Sequence, residues 1–175
     1  MRIDPKFFNH FMIAVAVFCI IAIAFASFRY IDKQEQRFLN RLDQSSLNEL
    51  VFTNTLGDTV NIAPERTVVI LFWATWSDRS LDTLNDLYHW HDAHPQFEVV
   101  SAYVKDAAEL ASVHDRPGTD HFTLVDGTGA YQELRVPGVP AAIVFSAGGD
   151  VLHTQVGTKE KPVWRELSSR DKLHE

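Results

Sequence analysis

Apolar and polar positions fall into three regimes along the chain. The first is FMIAVAVFCIIAIAFASF, Phe11 to Phe28, which carries no charge. With a helical rise of about 1.5 Å per residue, such a run is near the lower limit for crossing a bilayer core of about 30 Å. Phe7 and Phe8 can extend it. The second regime, RYIDKQEQRFLNRLDQSSLNEL from Arg29 to Leu50, interleaves charges of both signs with Ile31, Phe38, Leu39, Leu42, Leu47 and Leu50. That spacing predicts a helical stalk continuing from the apolar run, with a break at Ser45-Ser46. The apolar repeat is too short to specify a coiled coil.

The third regime has the shorter periods of a packed domain. LVFTN and TVNIA flank Leu56-Gly57-Asp58, a hairpin signal. TVVILFWA is a continuous apolar run rich in β-branched residues, which suits a central strand buried on both faces. Leu81, Leu84, Leu87, Tyr88 and Trp90 then recur near helical spacing, and His94-Pro95 ends that helix. FEVVSAYV reads as a second buried strand, DAAELASVHD (106–115) as a short helix, HFTLVDG as a short strand and AYQELRV as another short helix. AAIVFSAGGDVLHTQVG is a hairpin around Gly148-Gly149, and KEKPVWRELSSRDKL a closing amphipathic helix. Strands alternating with helices in this way predict one α/β domain, a mixed sheet with helices on both faces. The expected organisation is a short head over 1–10, the apolar segment over 11–28, a helical stalk or linker over 29–47 and the domain over 48–175.

Two readings of the apolar segment stand side by side: an uncleaved anchor, or a signal peptide cut near the small-x-small pattern Ala24-Phe25-Ala26. The length of the run and the bulk of Phe25 and Phe28 favour the anchor. Either one delivers the rest of the chain across a membrane. Charge alone does not orient it, because Arg2 and Lys6 on one flank balance Arg29, Lys33, Arg37 and Arg41, diluted by Asp32 and Glu35, on the other.

Charge also narrows the function. Residues 51–175 hold ten Lys/Arg against eighteen Asp/Glu, a formal −8. An acidic domain without a basic stripe repels phosphate backbones, so nucleic acid is not the expected partner. The single cysteine, Cys19, lies inside the apolar run, where a thiol without water or base stays protonated. The expected domain has none, so it makes no internal disulfide and no cysteine-ligated metal site.

The stretch WATWSDRS, Trp73 to Ser80, joins the apolar strand to the helix that follows it. Together with Val139-Pro140, the hairpin GVPAAIVFSAGGDVL and Gly157, FWATW resembles the thioredoxin fold, and most closely the membrane-anchored TlpA/ResA type of thiol-disulfide oxidoreductase. The resemblance covers roughly residues 48–173. It implies a Cys-x-x-Cys at positions 77 and 80, which here are Ser77 and Ser80, with Asp78-Arg79 between them. It implies that Pro140 is a cis-proline facing that pair. It also implies a buried carboxylate at position 71, which here is Leu71. An outward-facing, extracytoplasmic domain is a further implication.

Thiol-disulfide exchange needs a thiolate that attacks sulfur through a mixed disulfide. A serine hydroxyl is far less acidic and forms no such bond, so the site predicts no dithiol catalysis, no catalytic residue and no cofactor. Ser77 instead suits an N-cap, with Asp78 and Asp82 near the positive pole of the helix. A serine nucleophile would need a positioned base. No spacing to His89, His91, His94, His114, His121 or His153 implies a triad, and no G-x-S-x-G elbow surrounds Ser77. In HWHDAH, His91 and His94 could share a helix face, but zinc wants three or four convergent ligands, so no metal site is expected. Trp73 and Trp164 read as core.

What remains is binding. Val139, before the proline, can present its backbone to an extended segment in a strand-addition mode. Trp76, Ser77, Asp78, Val139 and Pro140 form the candidate peptide-binding groove. The leading expectation is a redox-inactive binding, scaffold or adaptor module, tethered to a membrane and facing a protein or peptide partner. Two alternatives accompany it. One is a component of a thiol pathway that relies on a partner's cysteines. The other is a non-redox enzyme using Ser77 or the histidines.

Overall fold

The architecture is that of a computed structural model, which describes residues 5–54, 56–62, 65–104 and 122–171. Its strands are β1 (Phe52–Thr53), β2 (Thr59–Val60), β3 (Val68–Trp73), β4 (Glu98–Tyr103), β5 (Thr123–Asp126), β6 (Ala141–Phe145) and β7 (Val151–Val156). The helices are α1 (Pro5–Leu42), α2 (Asp78–Asp92), α3 (Thr128–Leu134) and α4 (Val163–Asp171), with one 3-10 turn over Leu47–Glu49. The expected helix over 106–115 lies outside the described residues.

The strands form one sheet in the order β2-β1-β5-β4-β3-β6-β7. β3 runs parallel to β4 and antiparallel to β6, and β4 runs parallel to β5. The mixed sheet follows from the connections. The 15-residue helix α2 crosses between parallel neighbours, while the turn after Phe145 folds β6 back on β7. Ser146 organises that turn, its Oγ accepting the N–H groups of Gly148 and Asp150, and Gly149 supplies φ +86°. Gly127 is required for a different reason. A Cβ there would meet the Ala102 Cβ at 2.8 Å, so only glycine lets the chain leave β5 for α3.

All six residues of β3 are buried, and they alternate between two layers. Val68, Ile70 and Phe72 point into a layer with Phe38, Leu42, Leu47, Phe52, Ala130 and Leu134. Val69, Leu71 and Trp73 point the other way, against Leu84, Leu87 and Trp90 of α2 and Val163, Trp164 and Leu167 of α4. Burying each large apolar side chain stabilises the fold by about 1.5–3 kcal/mol. Both faces of the sheet are therefore covered, as the unbroken apolar run of β3 requires.

Two compact units divide the chain, Met1–Arg37 and Phe38–Glu175. In the first, α1 is long and apolar enough to cross a membrane. Phe11, Phe18, Ile20, Ile23 and Phe28 stand on its exposed surface, and so does Cys19. The second unit starts ten residues before the expected 48. Phe38 and Leu42, on the last turns of α1, are 1% and 2% exposed, and Leu47 is fully buried. The segment expected as a stalk thus supplies core residues, because Phe38 and Leu42 are one helical turn apart and face the same way. Arg41 donates to the Glu133 carbonyl and Ser45 to the Arg41 carbonyl, which ties this segment down. The closing helix begins at Val163 rather than at Lys159, since Pro162 suits only the first turn of a helix.

Candidate functional site

The site is built where β3 gives way to α2. After Trp73 the chain turns through Ala74, Thr75 and Trp76, and the N–H of Ser77 donates to the Ala74 carbonyl at 3.3 Å. Ser77 is extended (φ −117°, ψ 106°), the backbone of an N-cap. Its Oγ accepts the N–H of Ser80 at 3.3 Å, and its carbonyl accepts from Ser80 and Leu81 at 2.9 and 3.2 Å. Asp78 lies in the first turn of α2, where a negative charge is favoured by the helix dipole.

Ser80 does not share that capping role. It is fully buried on the sheet-facing side of α2, with Thr83, Leu84, Leu87 and Trp90, and its Oγ has no hydrogen-bond partner. Ser77 is half-buried, while Trp76, Asp78 and Arg79 are exposed, Trp76 at 63%.

The neighbouring strand brings the proline to the same end of the sheet. Phe72 pairs with Ala141, so Pro140 stands beside the end of β3 from which the chain turns to Ser77. The Val139–Pro140 peptide bond is cis, Pro140 is buried, and its carbonyl accepts the N–H of Gly157 at 2.8 Å. The Val139 side chain packs against the layer that holds Phe72. It is half-buried, so part of its surface stays open. The Val139 backbone N–H and carbonyl make no hydrogen bond among the described residues.

Behind the site the sheet is closed by aromatic and hydroxyl groups. Leu71 is fully buried. Trp73 Nε1 donates to Ser101 Oγ at 2.7 Å, the Trp73 and Tyr103 rings lie 5.2 Å apart, and Tyr103 OH meets Thr75 Oγ1 at 3.3 Å. Ser101 escaped the sequence reading, although a lone polar residue inside the apolar run of β4 is the signal that marks it. On the other side of the sheet, Tyr131 packs against Phe72, and burial raises its pKa above the ordinary 10.

The histidines of α2 lie far from this end. His89 is twelve residues beyond Ser77, about 18 Å along a helix. His91 Nε2 donates to the Phe97 carbonyl at 3.1 Å and His94 Nδ1 to the Trp90 carbonyl at 2.8 Å. Both are half-buried, so they knit the helix end to the next turn instead of fringing it in solvent. His153 pairs with Val144, which itself pairs with Val69, four residues down β3 from Trp73. His114 and His121 lie outside the described residues. Among the described residues, no group of three His, Cys, Asp or Glu could hold a metal ion.

No family model and no curated protein matches the chain. Solved structures do. A thiol-disulfide oxidoreductase from Bacteroides fragilis aligns with a TM-score of 0.57 at 17% identity, over 74% of this chain and 99% of its own. A secreted Mycobacterium tuberculosis disulfide oxidoreductase, homologous to E. coli DsbE, gives 0.56 at 19% identity, over 77% and 98%. StoA from Bacillus subtilis gives 0.53 at 15% identity, over 67% and 94%. The fold is thioredoxin-like. At these identities the likeness speaks for the fold alone. On this thioredoxin-like frame the strand-to-helix turn offers the half-buried Ser77 hydroxyl and an exposed indole, and no thiol. Such a surface can bind through backbone groups and an aromatic face, but it has no sulfur to exchange.

Proposed function

We propose that this chain is a membrane-tethered, redox-inactive binding module whose degenerate thioredoxin-like site holds a segment of a partner protein. In this reading residues 11–28 anchor it, the domain begins near Phe38, and the domain faces an extracytoplasmic space. The observation that carries the reading is the pair Ser77 and Ser80, at the positions where the resembling oxidoreductases keep their dithiol. The burial of Ser80 supports descent from such a site. A thiol is a weak hydrogen-bonding group and sits in an apolar pocket at little cost, whereas an unpaired buried hydroxyl costs about 1–3 kcal/mol. Position 80 is packed as sulfur would want it.

The binding mode is supported by Val139. Its N–H and carbonyl carry no hydrogen bond among the described residues, and it lies just before β6, at the end of the sheet where β3 leads on to the exposed Trp76. An extended segment can add to those two backbone groups as a strand adds to an edge, and an indole gives it apolar area. Neither contact needs a thiol.

The test uses the full chain in native membranes, with a photoreactive amino acid at position 77. A discrete crosslinked protein that disappears with Trp76→Ala is the expected result. A pattern unchanged by that substitution sinks the groove. In parallel the purified chain should leave the disulfides of insulin intact in the presence of dithiothreitol, beyond the rate of dithiothreitol alone. Any turnover above that rate overturns the loss of redox chemistry.

A further inference from the structure

A row of cations follows the apolar run of α1. Arg29, Lys33 and Arg37 come after Phe28 at steps of four residues, and all three are exposed. At 3.6 residues per turn they fall within about 80° of one another around the helix, on a single stripe. The two carboxylates of this stretch stand off it, Asp32 about 60° and Glu35 about 120° behind Arg29. Arg41 would be the next member, but it donates to the Glu133 carbonyl.

Among the described residues, Arg29, Lys33 and Arg37 make no ion pair. Like charges four residues apart weaken a helix, so three in a row gain from an anion laid alongside. The helix also aims them. Side chains on a helix tilt toward its N-terminus and cover the preceding turn. Here that direction is toward the apolar run. Arg29 shows it, with its guanidinium 6.0 Å from the centre of the Phe25 ring.

The heights match a membrane surface. Along the axis, Lys33 lies about 8 Å and Arg37 about 14 Å beyond Phe28. Reaching back by about one turn brings their charges to about 2 and 8 Å from the end of the run. The headgroup layer of a bilayer is about 5–8 Å deep, so the stripe spans it. The stems of these side chains can lie against apolar surface while the charged heads stay in the polar layer. We propose that Arg29, Lys33 and Arg37 form a docking surface for the headgroups of anionic phospholipids in the adjoining leaflet. The inference rests on the anchor reading of residues 11–28.

Cys19 supplies the test. It is the single cysteine of the chain and is exposed on α1. It lies eighteen residues before Arg37, five full turns, and so beneath the stripe. The full chain carries a fluorophore at Cys19 and is reconstituted in vesicles of phosphatidylcholine and phosphatidylglycerol, mixed equally. Either lipid in turn bears brominated acyl chains that quench on contact. Phosphatidylglycerol should be enriched about fivefold beside the label, the value of one cation at an anionic surface. The enrichment should vanish at about 1 M salt, where the screening length is about 3 Å. Arg29→Gln, Lys33→Gln and Arg37→Gln together should abolish it, and Arg29→Lys with Arg37→Lys should keep it. Equal quenching by the two lipids overturns the proposal. So does an enrichment that survives the triple glutamine variant, or one lost in the charge-preserving variant. Release of the chain from these vesicles by alkaline carbonate would sink the anchor reading instead. A chain that stays in the membrane without enrichment fails the headgroup site alone.

Discussion

Ser77 and Ser80 stand three residues apart and are held in opposite ways. Ser77 Oγ accepts the backbone N–H of Ser80 at 3.3 Å, while the Oγ of Ser80 is buried with nothing to bond. The same hydroxyl group therefore supports the helix at one position and burdens it at the other. The difference lies in where β3 delivers the chain. Ser77 comes before the first turn, among N–H groups that want an acceptor. Ser80 has rotated onto the stripe of α2 that faces the sheet.

Opposite signs follow for two alanine substitutions. Ser77→Ala should destabilise by about 0.5–2 kcal/mol, the ordinary value of a lost N-cap. Ser80→Ala should stabilise by about 1 kcal/mol, because it removes an unpaired buried hydroxyl and leaves only a small void. Denaturant unfolding of the two variants against the parent checks this. Equal signs would show that Ser80 has a partner.

Sulfur can be returned to the site as a test of its shape. A helix places residues i and i+3 about 5 Å apart at Cα, within the span a disulfide needs. In a Cys19→Ser background, Ser77→Cys with Ser80→Cys should form an internal disulfide on mild oxidation, seen as the loss of two titratable thiols. The thiol at 77 gains acidity from the helix N-terminus. With Leu71 buried behind it and no carboxylate there, its insulin reductase activity should be measurable but slow. A folded double variant that keeps both thiols under oxidant would contradict the proposed ancestry of the site.

Much of this was legible in the chain. The apolar run of β3, the helical spacing of α2 and the Gly148-Gly149 turn specify three elements by local period alone, and their order specifies a mixed sheet with helices on both faces. The N-cap at Ser77 is equally local. Ser80 was legible in principle, since it lies four residues before Leu84 and seven before Leu87, on the stripe they define. The contact of Val139 with the core layer of Phe72 was not, because it depends on the register of β6 against β3. Nor was the role of Phe38 and Leu42, whose helical spacing fits a free stalk as well as a docked one. Only a partner distant in sequence, the layer of Phe52 and Ile143, decides between them.

That docking makes the boundary of the domain measurable. Leu42→Ala should cost about 2–5 kcal/mol, as for other large-to-small changes in a core, and Phe38→Ala about 3–5 kcal/mol. A soluble fragment over 36–175 should unfold cooperatively, and one over 45–175 should melt at a distinctly lower temperature or not fold. Calorimetry of the two fragments decides it. Equal melting temperatures would place the domain start after Leu42.

Tyr131 predicts an alkaline limit. Burial raises its pKa in the folded chain, so folding favours the protonated phenol. That contribution is fully present below the unfolded value of 10, and it fades as pH climbs toward the folded value, because the unfolded chain then holds fewer protons than the folded one. Tyr131→Phe removes this part of the alkaline decline and leaves stability near neutrality almost unchanged. Chemical unfolding at pH 8 and at pH 10.5 measures both. A decline of the same steepness in the variant would assign it to other groups.

Trp76 separates binding from folding most cleanly. At 63% exposed it makes no contribution to either core layer, so Trp76→Ala should change stability by no more than about 0.5 kcal/mol. Val139→Asp cannot serve the same purpose. Its half-buried side chain packs against the layer that holds Phe72, so a carboxylate there would cost stability as well as binding. If the groove holds a partner, losing an aromatic anchor should weaken it by 2 kcal/mol or more, about thirtyfold. The measurement is the yield of crosslinked partner in membranes, normalised to the amount of folded chain. A thirtyfold fall with unchanged melting would locate the binding energy at the turn between β3 and α2. An unchanged yield would remove Trp76 from the interface and, with it, the main apolar surface offered there.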